Sequence, residues 1–207
     1  MKIYIANRPE ETATAVLEAA KVVKAGGIIA FPTETVYGLG ADAENPDAVD
    51  RLYEIKKRNR DKPFTNLIAS AGQMDKTCVV SGEAAKIIKE FWPGPVTLIF
   101  KSSRGKKGYR VPSNIIALSL LRKCGKALVA PSANPSGAGN PKDAATVKSY
   151  FEKDIDLLID GGPADLGIES TVIDFSSAKP SILRTGAVSA REIREKTGVG
   201  LDIASEQ

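Results

Sequence analysis

The chain has 207 residues, 43% hydrophobic and 26% charged, with a formal net charge of +4, a pI near 9.0 and no histidine. That length and balance suit one substantial core, and no apolar run approaches the roughly 20 residues that span a bilayer. The missing imidazole excludes Ser-His-Asp and Cys-His nucleophiles, His-ligated metals and the usual neutral-pH general base.

The N-terminal stretch Met1-Lys2-Ile3-Tyr4-Ile5 runs into polar sequence rather than a signal-peptide core. A single cytoplasmic domain over 1–207, with its core at about 10–190, is therefore expected. In chain order, 3–5 reads as a strand. Residues 10–24 carry Ala13, Val16, Leu17, Ala20 and Val23 at helical spacing until Gly26-Gly27 stops the run. A buried strand follows at 28–31. Asn45-Pro46 caps a helix on which Val49, Leu52, Tyr53 and Lys56 share a face, placing Lys56 and Arg58 at its C-terminal end. Strand 64–69 and helix 81–91 precede the break Trp92-Pro93-Gly94-Pro95 and strand 96–100. After an extended piece at 109–111, Ser113 caps a helix that ends at Gly125, and 127–130 forms the next strand. Residues 141–153 read as helix and 157–160, 172–175 and 182–184 as strands. Ser189 and Glu192 form the capping box of a last helix, beyond which 203–207 fray. Strands alternate with helices except near the C-terminus, where close spacing suits antiparallel pairing. The expected fold is α/β, a twisted, mixed parallel and antiparallel open sheet with flanking helices.

Four segments are small, hydroxyl-bearing and glycine-rich, each just after an apolar run. They are 32–40 (PTETVYGLG), 130–137 (APSANPSG), 161–171 and Arg184-Thr185-Gly186. Converging on one face of the sheet, they would line a concave polar cavity with hydroxyls and amides suited to phosphate and carboxylate oxygens. The excess of positive charge favours such anionic partners, and none of the four matches the Walker or Rossmann loop. Each also has a plainer reading. Thr33 and Thr35 satisfy a turn, Lys56 to Lys62 form a solvated helix end, and Cys78 and Cys124 are reduced thiols.

Taken together, FPTETVYGLGADA at 31–43, Lys56-x-Arg58, WPGPVT at 92–97, Arg110-Val111-Pro112, Ser132-x-Asn134 and GIESTVIDF followed by Arg184 resemble the YrdC family in the same order. Within that family the chain is similar to the short, single-domain threonylcarbamoyl-AMP synthases of the TsaC type. The resemblance implies a YrdC-like sheet around a large cavity. It also implies synthesis of L-threonylcarbamoyladenylate from ATP, L-threonine and bicarbonate or CO2, for threonylcarbamoyladenosine modification of tRNA. Mg2+ would come in with ATP, and no metal site of the protein's own is implied. Lys56, Arg58, Ser132 and Asn134 would be catalytic and, with Arg184, would bind ATP, Lys56 acting as a mobile point charge. Thr33, Thr35, Tyr37, Arg110 and Ser170 would hold threonine. Partners would be tRNA and a downstream threonylcarbamoyl-transferase complex, with no membrane. Asn59 stands where relatives often have Pro, and Leu67 where many have a threonine-contacting His. The alternative is a non-catalytic tRNA- or rRNA-binding protein of the same family, whose basic rim meets RNA phosphates.

Overall fold

The computed structural model describes residues 1–204. The strands are β1 (Lys2–Ile5), β2 (Ile29–Phe31), β3 (Gly38–Asp42), β4 (Asn66–Leu67), β5 (Val96–Ser102), β6 (Gly105–Arg110), β7 (Leu128–Val129), β8 (Leu157–Asp160), β9 (Thr171–Asp174), β10 (Ser181–Arg184) and β11 (Asp202–Ile203). The helices are α1 (Pro9–Lys24), α2 (Pro46–Lys56), α3 (Gly82–Phe91), α4 (Ile115–Cys124), α5 (Ala144–Phe151) and α6 (Ala190–Thr197). One sheet runs in the order β1-β8-β2-β3-β7-β4-β6-β5-β9-β10-β11. Parallel pairs such as β1/β8, β2/β8 and β5/β9 share it with antiparallel pairs such as β2/β3, β5/β6 and β9/β10. The mixed sheet read from the spacing of the elements is thus the observed one.

Alternation along the central strands explains why helices cover both faces. Ile29, Phe31, Leu157 and Ile159 pack with α1 and α4, whereas Ile28, Ala30 and Leu158 point the other way and pack with α2 and α5. Full burial of each such side chain contributes about 1.5–3 kcal/mol. A third cluster joins Leu98, Phe100, Ile173 and Ile182 to Ile87 and Phe91 of α3 and Ile193 of α6.

Several boundaries differ from the sequence reading. Residues 38–42 are a strand rather than loop, because Gly40 lies flat against the Phe31 ring, where a Cβ would come within 2.8 Å of Cε1. The cap of α4 is Asn114, not Ser113. Its Oδ1 accepts from the amides of Ile116 and Ala117 at 3.0 and 3.1 Å. Helix α5 starts only after Asp143, whose carboxylate takes the Thr146 amide at 2.7 Å, since the Pro141 and Lys142 carbonyls already serve Tyr37 and Ala164. Strand β4 is shorter than 64–69 because Phe64 leaves the ladder to stack on Tyr53 at 4.1 Å. Only half of the predicted capping box forms: Ser189 takes the Glu192 amide, but the Glu192 carboxylate turns to Lys196. Ile203, expected to fray, pairs with Ile182, and 205–207 lie outside the described residues.

Candidate active site

The four polar segments do converge. A cavity of about 210 Å3 is lined by residues from the β2–β3 hairpin, the segment after α2, β4, β5, the end of β6, the turn after β7, the loop before β9, β9 and the end of β10. Thr33, Thr35, Tyr37, Arg58, Arg110, Ser132, Ser170 and Arg184 all contribute to its wall. Lys56 and Asn134 do not, although they were read as ligand-binding.

Their place is just behind the wall. Lys56 is 3% exposed, and its ammonium donates to the Ser132 carbonyl at 2.6 Å, to Asn134 Oδ1 at 3.2 Å and to the Asn134 carbonyl. All three of its donors are thereby engaged. The Ser132 hydroxyl donates to the same Asn134 Oδ1 at 2.7 Å, and Asn134 Nδ2 reaches the Ala138 carbonyl at 2.6 Å. Ser136 Oγ returns a bond to the Lys56 carbonyl at 2.9 Å. The mobile point charge expected at Lys56 is therefore a fixed clamp on the turn that presents Ser132. Burial pushes its pKa down to about 8, repulsion from Arg58 adds to the fall, and Glu169 opposes it.

Arg58 is separated from this clamp by a single backbone feature. Lys57 caps α2 with a φ of 49°, in the left-handed region that non-glycine residues seldom occupy, so Lys56 and Arg58 diverge. Lys56 turns inward while Arg58 faces the cavity. The Arg58 Nε donates to the Lys62 carbonyl at 2.9 Å and its guanidinium lies 5.4 Å from the Phe64 ring centroid. Neither partner is an anion, which leaves its charge available to a ligand.

The threonines form a closed turn. Thr33 Oγ1 lies 2.8 Å from Thr35 Oγ1, donates to the Val36 carbonyl at 2.6 Å and accepts from the Thr35 and Val36 amides at 3.3 Å. That is the turn-satisfying role of Thr33, while Thr35 keeps bonding capacity. The Tyr37 hydroxyl donates to the Gly162 carbonyl at 2.6 Å and accepts from the Gly161 amide at 3.3 Å, and burial pushes its pKa up. It therefore ties the 161–170 loop to the hairpin, and its hydroxyl is engaged there.

Two arginine–glutamate pairs flank the remaining wall. Arg110, 6% exposed, donates from Nη2 to Glu34 Oε1 at 2.7 Å and from Nε to the Gly94 carbonyl at 3.1 Å. Burial lowers its pKa, Glu34 opposes that, and the nearby Arg184 lowers it further. Arg184 pairs with Glu169 at 2.9 Å and donates to the Ser170 carbonyl from Nε and Nη2, at 3.1 and 3.0 Å. The Ser170 hydroxyl bonds Thr97 Oγ1 at 2.9 Å. Beside these, Leu67 supplies apolar wall where a histidine would be polar, and Asn59 lies outside, folding its side chain onto the Asp61 amide.

A family model, Sua5/YciO/YrdC, described as "Telomere recombination", matches residues 21–186. The chain belongs to the Sua5/YciO/YrdC family. Threonylcarbamoyl-AMP synthase of Bacillus subtilis is 38% identical over 195 residues, covering 88% of this chain and 56% of that protein. The fold matches Pyrococcus abyssi Sua5 complexed with L-threonine at a TM-score of 0.92 and 36% identity, over 99% of this chain and 63% of that one. It also matches Escherichia coli YciO at 0.82 and 28%, over 93% and 98%. The chain thus spans little more than half the length of the B. subtilis synthase.

Within this Sua5/YciO/YrdC chain, sequence reasoning overlooked Glu34, Glu169 and Thr97. All three lie inside the family motifs, but their roles depend on partners from other strands. Glu34 sits between the two threonines of PTET, and only the folded sheet brings Arg110 to it. No helix among the described residues is long and apolar enough to cross a membrane.

Proposed function

We propose that this chain catalyses synthesis of L-threonylcarbamoyladenylate from ATP, L-threonine and bicarbonate or CO2, as a nucleotidyltransferase acting in the cytoplasm. The observation that carries the reading is a cavity where Arg58, without a carboxylate partner among the described residues, shares the wall with Arg110 and Arg184, each already neutralised by a glutamate. An uncompensated cation suits a triphosphate. Arg110, buried and balanced by Glu34, suits a smaller anion held by directed hydrogen bonds, such as an amino-acid carboxylate, while the more exposed Arg184 supports the nucleotide.

The volume agrees with that division. At about 210 Å3 the cavity falls below the roughly 300–1,000 Å3 of pockets that engulf drug-sized ligands. It can enclose threonine and the reacting phosphate while the rest of the nucleotide lies across the open rim. In the reaction, the threonine amine takes up CO2 as a carbamate and releases its proton to solvent. A carbamate oxygen then attacks the α-phosphorus, and the bond to the β-phosphate breaks to release pyrophosphate. Arg58 steadies the charge on the phosphates, and the Ser132 hydroxyl exchanges Asn134 Oδ1 for a phosphate or carbamate oxygen when the ligand binds, while Lys56 keeps its hold on the turn. Arg110, Thr35 and Ser170 hold threonine. Positioning and charge stabilisation do most of the work in such a transfer, and none of it requires histidine. Mg2+ accompanies ATP as part of the substrate, bound chiefly by phosphate oxygens and water. The product would pass to a threonylcarbamoyl transferase that modifies tRNA.

Pyrophosphate release from ATP by the purified chain, with threonine and bicarbonate omitted in turn, tests the reading. Release should need both, and a rate indifferent to threonine would refute the synthase. Lys56→Ala and Arg58→Ala should each slow turnover by roughly one to two decades, as expected for losing a hydrogen bond involving charge.

A further inference from the structure

Glu34 is a buried carboxylate that the reaction does not itself use. It is 5% exposed, lies between two cavity threonines, and does not reach the cavity wall. Its Oε1 accepts from Arg110 Nη2, while Oε2 is buried with no hydrogen-bond partner among the described residues. Its own carbonyl accepts from the Leu166 amide at 2.9 Å, tying the 161–170 loop to the same point. A buried carboxylate with one orphaned oxygen costs stability, and a turn alone would be better served by a neutral residue. What Glu34 does is evident from Arg110. Two acceptors, Glu34 Oε1 and the Gly94 carbonyl, fix the guanidinium by its Nη2 and Nε atoms, and the free Nη1 donors are left for the cavity. Without Glu34, the Gly94 carbonyl alone would hold the guanidinium, and its direction would no longer be fixed.

The geometry points to Glu34 as a positioning residue that aims Arg110 at the ligand's carboxylate and sets affinity for the amino acid rather than for the nucleotide. This rests on the reading of Arg110 as a threonine contact. Glu34 holds one edge of the guanidinium in the wall, so the other edge presents a preorganised fork to a planar carboxylate.

Calorimetric titration of L-threonine and, separately, of ATP into the wild type and three variants tests this, with folding checked by circular dichroism. Glu34→Ala should weaken threonine about tenfold and leave ATP within about twofold, since only one directed contact is misplaced. Glu34→Gln keeps an acceptor for Nη2 and should restore threonine affinity to within about threefold of wild type. Arg110→Ala should lose threonine binding altogether. Wild-type threonine affinity in Glu34→Ala beside a loss in Arg110→Ala would overturn the role of Glu34 alone. Undiminished threonine binding in Arg110→Ala would overturn the reading of Arg110 beneath it. Equal weakening of both ligands in Glu34→Ala, or no recovery in Glu34→Gln, would mark Glu34 as structural and also overturn the proposal. If Glu34→Ala does not fold, Glu34→Asp retracts the charge by about 1.5 Å, one carbon–carbon bond. Threonine should then bind several-fold more weakly with ATP unchanged, and wild-type threonine affinity would be equally fatal.

Discussion

At Lys56 burial and hydrogen bonding pull in opposite directions. Burial disfavours the ammonium and brings its pKa to about 8, while three oxygens of one turn hold it in place. The native chain therefore releases this proton near pH 8, whereas an unfolded lysine keeps its proton to about 10.4. Between those values the unfolded state binds more protons, so the contribution of Lys56 to stability rises with pH while its positive charge is lost. ATP affinity measured without threonine should accordingly fall as pH rises from 7 to 9.5. In Lys56→Met the profile should be flat and the affinity low throughout. An equally steep profile in that variant would assign the effect to another group. Lys56-x-Arg58 and Ser132-x-Asn134 were legible as anion-binding pairs because their side chains announce donors and charge. That Lys56 serves two carbonyls was not, since every residue carries a carbonyl and only the folded turn decides which ones gather. Glu34 was hidden for a similar reason: its partner is 76 positions away, across strands whose order local sequence does not specify.

Among the elements, the β9–β10 hairpin shows how backbone proximity shapes the wall. Gly186 follows β10 and crosses so close to Glu169 and Ser170 that a Cβ would overlap the Glu169 carbonyl oxygen and the Ser170 carbonyl group. Its amide donates to Thr171 Oγ1 at 3.0 Å, and that hydroxyl donates to the Val188 carbonyl at 2.5 Å. Gly186→Ala must push the two chains apart and with them Glu169, Ser170 and the arginine they orient. We expect a loss of about 1–3 kcal/mol in urea unfolding, together with weaker threonine binding. Wild-type stability and affinity would mean that the hairpin yields freely. Elements with strong caps and apolar periodicity, such as α2 after Asn45 and α3 after Ser81, fell where their sequences placed them. Strand β3 did not, because Gly38-Leu39-Gly40-Ala41-Asp42 has little strand propensity of its own and is held by Phe31 on one side and β7 on the other.

For the whole molecule, the cavity is a joint product of both halves of the sheet. Thr33, Thr35 and Ser132 stand on the β2–β3–β7 side, and Thr97, Ser170 and Arg184 on the β5–β9–β10 side. A ligand bound between them stabilises both. ATP at about 100 times its Kd adds about 2.7 kcal/mol to unfolding, which for a chain of this size raises Tm by about 5–10 °C. The melt should remain one transition displaced as a unit. Two transitions, only one of them moving, would mean that the halves unfold independently. The sheet order has a consequence for how the protein is made. Strand β8 separates β1 from β2 and is parallel to both, although the chain reaches it only at Leu157. During synthesis the N-terminal strand and the strand leading into the PTET turn have no means of being joined until residues 157–160 have left the ribosome. The loop carrying Glu169 and Ser170 comes off just behind them. The strand that locks the sheet and the first residues of the far wall thus arrive almost together, with Arg184 following at the end of β10, and a nascent chain cut short before them has neither.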